Sequence, residues 1–163
     1  MKKSLFSVWV FSVAVFMYSC GGHDAIYVND MIVEKTDEVE ELMSKVYDFI
    51  YEDEYDSALA YLDSIANHAK ESETIIANLK CYSVEKFQQV ALEYLAMYRE
   101  AATDFRQAIE WYQSGDEELI EKGDDLIGNF DDQTDKKLSE IQRLQVEFAK
   151  KNNFDLEYKN QNR

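Results

Sequence analysis

The sequence predicts an all-α protein: an antiparallel up-down-up-down four-helix bundle that follows a short apolar N-terminal segment. Three observations predict it. The 163 residues include no proline and only five glycines, so little in the chain interrupts a helix. From Ala25 onward, apolar residues recur at alternating three- and four-residue steps, the period of helices packed along a seam. An apolar fraction of 46% with 13% aromatics is enough for one core in one domain and too much for a disordered acidic chain. Against 33 acidic residues stand 17 basic ones, a net charge of -16 and a pI near 4.4. Such a surface repels a nucleic-acid backbone and argues against a DNA or RNA partner.

The N-terminal segment comes first. Lys2 and Lys3 precede an apolar stretch from Leu5 to Tyr18, broken only by Ser7 and Ser12. A spanning helix needs about 20 residues, and this stretch is shorter, as in the apolar part of an export signal. Ser19 and Cys20 end it, and a small residue directly before a cysteine resembles the bacterial lipoprotein box, with Met17 in place of the usual Leu and Tyr18 in place of the usual small residue. The resemblance implies a signal peptide over 1–19 and a lipid on Cys20, with 20–24 as a tether. Cys81 is then left without a partner in the chain, a buried or half-buried small residue rather than a nucleophile. Loss of 1–19 removes two lysines and makes the charge -18, which an anionic membrane would repel, so the lipid must supply the attachment.

Four apolar stripes place the bundle over 25–152. The first runs Ile32, Thr36, Val39, Met43, Val46, Ile50 and stops at Glu52 to Glu54; the second runs Ala58, Leu62, Ile65, Ala69, Ser72, Ile76, Leu79. The third passes through Val84, Phe87, Ala91, Tyr94, Tyr98, Ala101, Phe105, Ala108 and Tyr112. A phase shift between the second and third stripes and Ser83 as a cap mark the break between them. The fourth passes through Ile120, Gly123, Ile127, Phe130, Thr134, Leu138, Ile141, Gln145 and Phe148. Gly115 marks its start as a stop signal for the helix before, and Ser114 and Glu117 have capping-box spacing. Gly123 and Gly128 inside the fourth helix each cost about 1 kcal/mol against alanine and mark a bend or a close approach. Tyr94, Tyr98 and Tyr112 are expected at core edges with hydroxyls reaching water. The tail over 153–163 loses the pattern and is expected to dock loosely through Phe154 and Tyr158.

Few residues point to chemistry. His23 and His68 are far apart, and neither has the Glu-x-x-His spacing of carboxylate-bridged di-iron bundles. Phosphate loops, nucleophile elbows and Cys/His metal spacings do not occur, and the acidic runs lack the loop spacing and turn glycine of an EF-hand. The stretch Asp53 to Leu62 has the tyrosine and alanine offsets of one tetratricopeptide helix, but no second copy follows about 34 residues on. The acidic residues do gather by topology. A bundle tethered at Cys20 carries Lys80, Lys86, Lys150, Lys151 and Lys159 toward the membrane, and Glu52, Asp53, Glu54, Asp116 and Glu117 at the far tip. Helix dipoles account for Asp116 and Glu117 but not for Glu52 to Glu54, so this tip is the candidate contact for a basic protein partner or a divalent cation.

Two further stretches, Tyr27-Val28-Asn29-Asp30-Met31-Ile32-Val33 and Gln145-Val146-Glu147-Phe148-Ala149-Lys150-Lys151-Asn152-Asn153-Phe154, resemble the opening and closing helices of an uncharacterised family of bacterial surface lipoproteins from spirochaetes and Bacteroidetes. The resemblance implies a helical protein anchored to an outer membrane through Cys20, on its surface or its periplasmic face, and carries over no cofactor and no catalytic residue. The expected function is that of an interaction or structural module without catalysis. The alternative is a bundle that binds a divalent cation or an apolar small ligand, the latter in a cavity between helices three and four.

Overall fold

A computed structural model describes residues 23–156. The expected signal peptide over 1–19, Cys20, Tyr158 and Lys159 lie outside the described residues. Four helices follow one another: α1 (Ala25–Tyr51), α2 (Tyr55–Ala77), α3 (Glu85–Ser114) and α4 (Glu117–Asn152). At 1.5 Å per residue they are about 35 to 54 Å long. Consecutive helices pack as antiparallel neighbours, with α3 against all three others and α1 only sparsely against α4. The fold is the up-down-up-down four-helix bundle.

Local chemistry sets each boundary. Asp24 caps α1, its side chain accepting from the Ile26 amide at 2.8 Å. The link Glu52–Glu54 closes on α1 through backbone bonds, Glu54 N–H to Phe49 carbonyl at 2.8 Å among them, with Asp53 at a φ of 58°. Between α2 and α3 the break is real. Ser83 supplies a positive φ of 60° there and does not cap; Val84 holds the cap position without a side-chain bond. Gly115, at φ 67°, ends α3. Asp116 rather than Ser114 then caps α4, accepting from the amides of Glu118 and Leu119 at 3.0 and 3.3 Å. Ser114 is already turned back onto the Trp111 carbonyl at 2.6 Å, so the expected capping box does not form. At the other end of α4, Asn153 adopts φ 57°, and Phe154 packs edge-on to Phe148 with ring centres 6.0 Å apart.

Burial follows the four stripes. Ile32, Val39, Leu62, Ile65, Phe105 and Ile109 are wholly buried, each stabilising the fold by about 1.5 to 3 kcal/mol against exposure. The polar members of the stripes are satisfied at home: Thr36 Oγ donates to the Ile32 or Val33 carbonyl, and Thr134 Oγ to that of Phe130 or Asp131. Because α3 touches three neighbours, it buries a second row, Val90, Leu95, Ala102 and Ile109, beside its predicted stripe.

Aromatic rings fill the space that keeps α1 and α4 apart. Tyr47 meets Phe105, Phe105 meets Phe130, Phe130 meets Tyr98 and Tyr98 meets Tyr94, with ring centres 5.0 to 5.6 Å apart. Tyr94 and Tyr98 are buried, not at wet edges as expected, and their hydroxyls find protein partners. Tyr94 donates to Glu40 and stands 3.0 Å from the Tyr98 hydroxyl. Across the same seam Tyr47 donates to Asp131 at 2.5 Å, and Gln145 donates to Asn29 at 3.0 Å. Cys81, in the α2–α3 link, is half-buried against the core and disulfide-bonded. This corrects the expectation that it has no partner. That expectation followed from assigning the chain's other sulfur, Cys20, to a lipid.

Candidate functional site

Two links form the far tip: Glu52–Glu54 between α1 and α2, and the turn Ser114 to Asp116 that leads into α4. The start of α2 stands beside the end of α3, close enough for Tyr55 and Tyr112 to act on one another electrostatically. Glu52, Asp53, Glu54, Asp116 and Glu117 are all exposed at this end. Their side chains are not equivalent. Asp116 is committed to the α4 cap, Asp53 accepts from the Tyr55 hydroxyl at 2.8 Å, and Glu54 lies 3.4 Å from Ser57 Oγ. The bond to Asp53 is the main cause holding the Tyr55 phenol above its usual pKa. Local structure thus uses three of the five carboxylates and leaves Glu52 and Glu117 in solvent.

Sequence reasoning missed one member of the tip. Tyr51, the last residue of α1, is 91% exposed directly beside Glu52. Its signal was available: it follows Ile50 out of phase with the stripe, so a helical reading turns it away from the core. Among the described residues, no group of three or more His, Cys, Asp or Glu side chains is placed to hold a metal ion. The tip carboxylates present a charged surface rather than a preformed cage.

The cavity lies elsewhere than expected. The α3–α4 interface is packed by Phe105 on Phe130 and Phe87 on Phe148, ring centres 5.3 and 5.7 Å apart. A shallow, open groove of about 710 Å³ instead lies between α2 and α3, with Leu92, Ala77 and Ala96 on its wall and Glu73, Gln88 and Arg99 among its polar residues. Arg99 donates to Glu73 Oε2 at 2.6 Å, while Glu73 Oε1 is buried without a hydrogen-bond partner. His68 is paired too, its Nε2 standing 2.9 Å from Glu38 Oε2. Compared with family models, with curated proteins and with solved structures, the chain matches none.

Proposed function

We propose that this chain is a lipid-anchored, acidic helical-bundle protein of a bacterial envelope, held to an outer membrane through Cys20 and acting as an interaction module without catalysis. The anchor is supported by Lys2, Lys3, the apolar stretch from Leu5 to Tyr18 and the Ser19-Cys20 pair, and by the resemblance to surface lipoproteins. Cys81 bears directly on it. The chain has two cysteines, and a sulfur in a thioether is not available to a disulfide. The structure has Cys81 in a disulfide, so the disulfide-bonded chain is the unacylated form, and acylation requires Cys20 to be modified before such a bond forms.

One observation carries the interaction role: Tyr51 stands 91% exposed beside a run of carboxylates, at the end of the bundle away from the α1 start. Exposed tyrosines with charged neighbours are the usual anchors of protein interfaces, because they bury a large ring at little entropic cost. The acidic rim selects a basic partner and speeds its encounter. Photo-crosslinking from position 51 in cells tests this, with position 104 on the exposed shaft of α3 as the control. The reading expects a discrete basic protein captured at 51 and not at 104, and lost when Glu52→Gln, Asp53→Asn and Glu54→Gln are combined. Identical products from both positions, or capture and calcium affinity unchanged by the triple substitution, end the proposal.

A further inference from the structure

The groove between α2 and α3 has a one-sided chemistry. Its side-chain donors are turned onto the protein itself. Thr74 Oγ donates to the Lys70 carbonyl at 3.0 Å, Asn78 Nδ2 to that of Thr74 at 2.8 Å, and Gln88 Nε2 to those of Ile76 and Leu79 at 2.5 and 3.1 Å. Gln89 Nε2 donates to Glu93 at 3.0 Å, and Arg99 Nη1 to Glu73 Oε2 at 2.6 Å. The acceptors are not matched in the same way. Glu73 Oε1 is buried, and among the described residues nothing donates to it. Three carboxylates, Glu73, Glu85 and Glu93, line the groove against one cation, Arg99. Glu93 shares its charge with Lys137 of α4, 2.9 Å away, and Glu85 stands exposed in the first turn of α3.

We propose that this groove binds a linear polyamine, a ligand with two or more ammonium groups separated by methylene chains. An ammonium carries three donors and no acceptor, the complement of a wall that keeps acceptors and uses up its donors. The spacing of the charges selects a chain over a point charge. Glu85 and Glu93 lie two turns apart on α3, about 12 Å along its axis, and Glu73 stands beyond them, held to Arg99. Among the described residues, no three His, Cys, Asp or Glu side chains come together to hold a metal ion, so a bare divalent cation is not matched here. Between the charges Leu92, Ala77 and Ala96 form an apolar wall, against which methylenes lose water. The volume of about 710 Å³ is that of a small-molecule site. The Glu73 side chain is 20% exposed, so a turn of its carboxylate toward the opening lets an ammonium beside Arg99 supply the donor that Oε1 lacks. An oxygen left buried without one bears its full desolvation cost. The net charge of -16 raises the concentration of polycations around the chain. This site lies on α2 and α3 alone and does not depend on the acidic tip or on the state of Cys20.

The test is isothermal titration calorimetry of the full chain with spermidine at about 0.15 M salt, where loose surface attraction is screened. Saturable binding at one site per chain is expected. Glu73→Gln is expected to weaken it about tenfold, as for loss of one charge-assisted hydrogen bond, and Ala96→Leu, which fills the apolar wall, by a similar factor. Glu121→Gln removes the same charge from the exposed face of α4 and is expected to change the affinity less than twofold. Circular dichroism checks that each variant is folded. If Glu73→Gln melts, Ala96→Leu decides, because it leaves the Glu73–Arg99 pair intact. Heat that never saturates, or equal weakening by Glu73→Gln and Glu121→Gln, describes a diffuse cloud of counter-ions and overturns the proposal. So does a lysine-rich peptide that binds in the groove where spermidine does not, the result for a protein-docking surface.

Discussion

A Cβ on Gly123 would stand 2.9 Å from Cε1 of Tyr112, so the tyrosine ring lies directly on the backbone of α4 and holds the end of α3 against it. The Tyr112 hydroxyl then donates to Asp124 at 2.9 Å. Gly123→Ala gains about 1 kcal/mol of helix propensity but displaces that ring, and overpacking costs about 1 to 3 kcal/mol. Gly128 has nothing within 4 Å of the same position, so Gly128→Ala keeps the propensity gain alone. Thermal melts of the two variants are expected to move in opposite directions, Gly128→Ala upward by about 3 °C and Gly123→Ala downward. A rise for both would mean that the Tyr112 contact constrains nothing.

The aromatic seam makes a second prediction. Burial first, and then the neighbouring Tyr98 and the bond to Glu40, push the Tyr94 phenol far above its usual pKa. Burial and Asp131 do the same to Tyr47, and burial to Tyr98. A raised pKa in an acidic group means that the folded state favours the neutral phenol. This stabilisation is complete below the ordinary value of 10.0 and is lost as pH rises above it. Near-ultraviolet absorbance should therefore show the exposed tyrosines ionising first and these three only as helicity collapses. Tyr94→Phe, which removes the donor to Glu40, is expected to cost about 1 to 2 kcal/mol in urea unfolding.

Glu38 predicts the acid side. Burial pushes its carboxyl up, but hydrogen bonds from Lys35 at 2.8 Å and His68 at 2.9 Å outweigh that and hold it below the usual 4.5. A depressed carboxyl stabilises above its unfolded pKa, and the gain is lost as pH falls through the folded one. Glu38→Gln should thus lower stability by up to about 1 kcal/mol near neutrality, and the difference from the parent protein should vanish once the medium is more acidic than the folded-state pKa. Melts of both proteins across that range measure it; a difference independent of pH would show that the charge on Glu38 contributes nothing.

The stripes were legible because period alone carries them. Ala58 to Leu79 is buried at every predicted position, since a helix with one apolar face has one way to turn. The second buried row of α3 was not legible, because it depends on α3 having three neighbours rather than two. Capping-box spacing pointed to Ser114, but the Trp111 carbonyl draws Ser114 away and Asp116, two residues on, caps α4 instead. Tyr94 and Tyr98 looked like edge residues because their partners, Glu40 among them, lie on another helix at no fixed spacing in sequence. For the tip, chain order placed Glu52 to Glu54 and Asp116 at one end. The exposure of Tyr51 and the local tasks of Asp53 and Asp116 depended on turn geometry that sequence spacing does not report.

The anchor is the claim from which the proposed location follows, and one mass measurement tests it most directly. Intact mass of protein extracted from membranes, beside Cys20→Ala, is predicted to give a chain that begins at Cys20 and carries acyl groups, with the variant unacylated and released from the membrane. An unacylated chain with Cys20 joined to Cys81, or a chain that still carries residues 1–19, would contradict the account.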